Sequence, residues 1–151
     1  MEYYDHEFDS RDGYAYLVNS KDAIPVNVYI GVDLAYEASS SSDYQVIMII
    51  GIDSNRNIYI IDYMREHMPL YDMPQQILEY AREYSPVKRV NIEHVGAQGI
   101  IKDAVNTISN KERKVAPGIA LGVRPPSGIK KEDRLESLLA PIVNRGKMFI
   151  K

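Results

Sequence analysis

VNVYIGVD (residues 26–33) and VKRVNIE (residues 87–93) decide the fold of this chain. In the first, Val26, Val28, Ile30 and Val32 alternate with Asn27, Tyr29, Gly31 and Asp33. A period of two is the signature of a strand with one buried face, and Asp33 is its last residue. In the second, Val90 and Ile92 share one face and Asn91 and Glu93 the other, so this strand also ends on an acid. Between them, Tyr44–Ile52 (YQVIMIIGI) is nearly continuous and apolar, which predicts a strand covered on both faces. Asp53–Asn57 (DSNRN) reads as a turn and Ile58–Tyr63 (IYIIDY) as the returning strand. The first three strands therefore form an antiparallel meander.

Outward from this centre the pattern changes to helices. Asp72 with Gln75 three positions later predicts a capping box, and Ile77, Tyr80, Ala81 and Tyr84 keep one helical face up to the stop at Ser85-Pro86. After the strand at 87–93, the turn Gly96–Gly99 leads into a helix with Ile101, Ala104, Val105 and Ile108 inward. A weaker strand is predicted over 115–123, then a loop at 125–128. A third helix is predicted over 130–142, with Leu135, Leu138, Leu139 and Ile142 aligned and Pro141 kinking or ending it. A short strand over 147–151 follows. Residues 1–25 are polar, Tyr-rich and weakly periodic and read as a lead-in segment or linker, with one domain over 26–151; Ser39–Ser42 reads as a loop. The order β-β-β-α-β-α-β-α-β predicts an α/β fold with a mixed sheet and helices on both faces.

Composition narrows the chemistry. The 151 residues contain no cysteine, which excludes disulfides, thiolate nucleophiles, zinc fingers and iron–sulfur clusters among them. No apolar run approaches the roughly 18 residues of a membrane span, and the acidic start does not resemble a signal peptide; the expected setting is cytoplasmic. There is no P-loop motif. The net charge of −3 hides an asymmetry: residues 1–101 hold 7 Lys/Arg and 16 Asp/Glu, whereas residues 102–151 hold 11 and 5. Such a basic segment is either a solvated face or the footprint of a polyanion.

The order of elements predicts that the strand ending at Asp33 lies beside, and parallel to, the strand ending at Glu93. Both carboxylates then reach one edge of the sheet, where α/β folds place their sites. Two such acids repel unless a cation intervenes, and hard oxygen ligands without His or Cys suit Mg²⁺ or Mn²⁺. The alternative is that each acid simply ends its strand facing solvent.

YIGVDLA (29–35), SDYQVIMIIGID (42–53), NIYIIDYMRE (57–66), VNIEHVGAQGIIKDAV (90–105) and KKEDRLESLLAPIVNRGKMFI (130–150) together resemble the C-terminal nuclease domain of the bacteriophage terminase large subunit. The resemblance implies an RNase H-like fold and a viral DNA-packaging endonuclease that cuts double-stranded DNA with two Mg²⁺ or Mn²⁺ ions in the host cytoplasm. It implies Asp33 and Glu93 as metal-binding catalytic acids, with Asp43 near the site. The family's third acid comes from an Asp-Asp pair in a helix beyond the last strand seen here, so the domain is expected to lack its C-terminal part, with Asp133 as the internal substitute or else a helix N-terminal charge. Lys130, Lys131, Arg134 and Arg124 are candidate phosphate contacts. The implied partners are the terminase ATPase domain, the small subunit and the portal, with a ring in the full motor and a monomeric isolated domain. A non-catalytic DNA-guiding module and a resolvase- or transposase-type nuclease on the same scaffold remain open. A sugar-kinase half is disfavoured by the lack of a Gly-rich turn after the first strand.

Overall fold

The computed structural model describes residues 2–35, 44–93, 98–124 and 127–151. They form nine strands and three helices. The strands are β1 (Glu2–Tyr3), β2 (Glu7–Arg11), β3 (Tyr14–Val18), β4 (Ala23–Asp33), β5 (Gln45–Ile52), β6 (Ile58–Glu66), β7 (Val87–Glu93), β8 (Ala120–Val123) and β9 (Met148–Ile150). The helices are α1 (Met73–Glu83), α2 (Gln98–Ser109) and α3 (Lys131–Asn144), and a 3₁₀ turn at Leu70–Asp72 leads into α1.

The central meander β4–β5–β6 is antiparallel, with Asp33 opposite Val46 and Val46 opposite Arg65. On the other side of β4, β7 pairs parallel, with Ile30 beside Val90 and Val32 beside Ile92. β8 then pairs parallel with β7, and β9 with β6. This is the expected mixed sheet, with the two acid-ended strands adjacent.

Alternation divides the sheet into two unlike faces. Val28, Ile30 and Val32 of β4, Ile47 and Ile49 of β5, and Val90 and Ile92 of β7 are buried in one core with Ile77, Leu78 and Ala81 of α1 and Ile101 and Val105 of α2. Each Val, Ile or Leu side chain so removed from water stabilises the fold by about 1.5–3 kcal/mol. The opposite face carries Gly31, Asp33, Val46, Met48, Asn91 and Glu93, and among the described residues only α3 approaches it. No residue of α3 is buried, and Leu135, Leu138 and Leu139 remain largely exposed.

Several local expectations are corrected. The segment expected as a lead-in supplies β1–β3 and the start of β4: β2 and β3 form a hairpin through Asp12 and Gly13, both at positive φ, β3 pairs with β4, and β1 pairs with β9. β5 is buried on one face only, because α3 stands off the other. Asp72 makes no side-chain cap, since it already lies in helical geometry at the end of the 3₁₀ turn. Of the strand predicted over 115–123, only Ala120–Val123 pairs. Pro141 does not end α3, which continues to Asn144; in the last turn of an exposed helix the carbonyl it leaves unpaired is open to water.

Candidate active site

β4 and β7 run parallel in register, so their last residues emerge side by side on the open face. Asp33 and Glu93 thereby enter one cleft of about 520 Å³, whose walls include Met48 and Val123 from the sheet and Leu135 and Leu138 from α3. α3 starts just after the positive-φ Gly128. Lys131 and Arg134, three residues apart, lie on the same helical face and point into the cleft.

The ammonium of Lys131 donates to the Asp33 carboxylate and lies 3.4 Å from Oε2 of Glu93. The guanidinium of Arg134 donates to Oε1 of the same glutamate. One cation thus bridges the two acids and a second orients one of them. Burial pushes the Glu93 carboxyl up, but the Arg134 hydrogen bond and the Lys131 charge outweigh it and hold the group below its usual range. Burial likewise pushes the Lys131 ammonium down, and its contacts with Asp33 and Glu93 more than offset this, leaving it above its usual range. Two cations inside the first turn of a helix oppose the helix dipole; Glu132 and Asp133 in the same turn, together with the facing acids, offset them.

The end of β4 is latched from behind. Gln45, 1% exposed, accepts from the Ala35 N–H at 3.0 Å and donates to the Met68 carbonyl at 3.2 Å. A longer contact of 3.5 Å reaches the Ala35 carbonyl. The amide therefore ties the two residues after Asp33 to the segment that follows β6. At the same end of the sheet, Tyr44 stacks on His67 at 4.0 Å and carries the Arg65 guanidinium 3.7 Å above its ring.

Arg124 lines the cleft mouth with Lys131 and Arg134, but Lys130 does not line it. Lys131 and Arg134, expected as phosphate contacts, are engaged by the acids instead. Asp133 is exposed and two residues from Lys131 on α3, which turns it off the cleft. Asp43, Ser39–Ser42, His94, Gly96 and Ala97 lie outside the described residues. Among the described residues no three His, Cys, Asp or Glu side chains cluster as a metal site, and no helix is long and apolar enough to cross a membrane. Sequence reasoning missed Gln45. Its signal was available: a polar residue at an inward position of an otherwise apolar strand.

No family model matches the chain, and no curated protein does. Solved structures do. The large terminase nuclease of the thermophilic phage G20c aligns over 96% of this chain and 68% of its own, with a TM-score of 0.55 and 15% identity. The yeast mitochondrial Holliday junction resolvase aligns over 82% of this chain and 65% of its own, with a TM-score of 0.51 and 11% identity. This likeness establishes the fold, which is RNase H-like.

Proposed function

We propose that this chain is a divalent-cation-dependent endodeoxyribonuclease that serves as the nuclease part of a DNA-packaging terminase. The observation that carries the reading is the convergence of Asp33 and Glu93 on a single cationic group at the C-terminal edge of β4 and β7. Two carboxylates without His or Cys form a hard donor set that fits Mg²⁺ or Mn²⁺. When bound, such an ion polarises the phosphoryl oxygens and lowers the pKa of an attacking water.

The chain's own residues do the rest. Asp33 and Glu93 hold the ion, and Arg134 fixes the Glu93 carboxylate by taking one of its oxygens. Arg124, at the cleft mouth, meets the backbone phosphates of double-stranded DNA, a contact without sequence preference. Gln45 keeps the end of β4 in place behind Asp33. Asp43 is the proposed further oxygen ligand, and a second ion would draw on it. The terminase reading carries with it an ATPase domain, a small subunit and a portal as partners, and the cytoplasm of an infected host as the setting.

The test is cleavage of supercoiled plasmid and linear duplex with Mn²⁺ or Mg²⁺. Nicking and linearisation that stop with chelator and with Asp33→Ala support the reading; intact DNA, or cutting that survives Asp33→Ala, refutes it. The shared fold with a Holliday junction resolvase supports a second reading, junction resolution. Preference for a four-way junction over linear duplex would favour it.

A further inference from the structure

We propose that Lys131 is a tethered counter-cation that competes with the divalent ion for the acid pair, and so sets the ion concentration at which the site loads. The inference rests on the metal reading given above and goes beyond it by assigning a role to a side chain opposite the ligands.

The argument begins with position. Lys131 contacts both acids, through its hydrogen bond to Asp33 and its 3.4 Å approach to Oε2 of Glu93. Its ammonium therefore lies between the carboxylates of the two acids that would hold a divalent ion. A single ammonium and a divalent ion seek the same negative charge, and two like-charged cations do not share one seat a few ångströms wide. Loading must displace the lysine.

Displacement is easy by construction. The Lys131 side chain is 45% exposed, so its ammonium regains water when it leaves. It sits on the first helical residue of α3, and α3 buries none of its side chains. Nothing in the core has to move for that turn to shift. Arg134 differs: its side chain is 15% exposed and it binds Glu93 alone, through Oε1. It can stay in place while Oε2 changes partner. The two cations one turn apart thus divide the work, Arg134 orienting a ligand and Lys131 occupying the seat.

The experiment is calorimetric titration of the whole chain with Mn²⁺, without DNA. Lys131→Gln should bind Mn²⁺ about twofold to fivefold more tightly than wild type, the range expected on removing a partly exposed ion pair. Lys131→Arg, which keeps the charge, should stay close to wild type. Lys88→Gln, on an exposed position of β7, should leave the affinity unchanged and so exclude a general charge effect. In a second readout, hydrogen exchange over residues 131–138 should rise in wild type when Mn²⁺ is added, as the lysine is released. Equal or weaker Mn²⁺ binding by Lys131→Gln overturns the proposal. Asp33→Asn in both backgrounds separates the two ideas. Binding that depends on Asp33 but is indifferent to residue 131 refutes competition and leaves the metal reading intact. Binding that ignores Asp33 refutes both.

Discussion

Replacing Gln45 by Leu tests whether the end of β4 is held by a buried amide. The two side chains are similar in size, so the core around β5 should close over Leu with little cavity. What changes is polarity. The Ala35 N–H loses its 3.0 Å acceptor and the Met68 carbonyl its 3.2 Å donor, while the 3.5 Å contact is too long to count for much. A buried polar group left without a partner costs about 1–3 kcal/mol. Ala35 and Met68 are only half-buried, so water reaches them in part and the low end applies to each. The low end for the two groups comes to about 2 kcal/mol, the better burial of Leu offsets some of this, and a net loss of about 1 kcal/mol is expected. With a urea slope of about 2 kcal/mol/M, the midpoint should fall by about 0.5 M, and Tm by about 2–4 °C. Because Ala35 is two residues from Asp33, Mn²⁺ affinity should fall as well. Ile49→Ala on the same strand is the control: it should destabilise by about 2–5 kcal/mol without weakening Mn²⁺ binding. A urea midpoint for Gln45→Leu indistinguishable from wild type would refute the latch. A lost midpoint with unchanged Mn²⁺ affinity would reduce Gln45 to a core residue.

Four further outcomes are expected. Asp33→Asn and Glu93→Gln should each lower DNA cleavage by about 10²-fold or more while circular dichroism shows an unchanged fold. Arg124→Gln should weaken duplex binding, measured by fluorescence anisotropy with an Asp33→Asn chain, and flatten the slope of log K against log salt by about one. Leu138→Ser, at a site 60% exposed, should change stability by less than about 0.5 kcal/mol. For pH, burial pushes the Asp53 carboxyl up, but hydrogen bonds from the Asn57 N–H and side chain, the Tyr59 hydroxyl and the Asn55 N–H hold it below its usual value. A depressed carboxyl stabilises above the unfolded value of about 3.9 and loses that stabilisation as pH falls through the folded value. The stability gap between wild type and Asp53→Asn, read by urea at pH 6, should therefore narrow at pH 3.

The sheet's centre was legible because its strands are long and their burial is one-sided. Val28, Ile30 and Val32 announce a face by alternation alone, and the adjacency of β4 and β7 follows from connection rules. The same rules brought Asp33 and Glu93 to one edge. β1–β3 were illegible for the opposite reason. β1 and β2 are short and mostly exposed, β3 is short with Ala15 and Leu17 as its buried residues, and β1 exists by pairing with β9 far along the chain, as when Glu2 sits opposite Phe149. No local pattern encodes such a partner. The lysine's role was hidden similarly: Lys131 and Arg134 looked like a solvated helix face or a phosphate contact, and only the packing of α3 shows which side faces the acids. The exposed leucines of α3 misled in another way, since helical periodicity reports a face and not whether anything covers it.

The cleft draws on parts of the chain that are far apart in sequence: Lys131 lies 98 residues after Asp33, and Arg134 lies 41 after Glu93. Pairings this non-local form late in folding, since loop closure must be paid before the contacts reward it. During translation Asp33 is made 98 residues before Lys131, so the acid leaves the ribosome well ahead of the helix that faces it. A nascent or half-folded polypeptide therefore displays isolated acids but no assembled cleft. Whatever the finished molecule does at that edge, it does only after α3 has been made and has packed against the sheet.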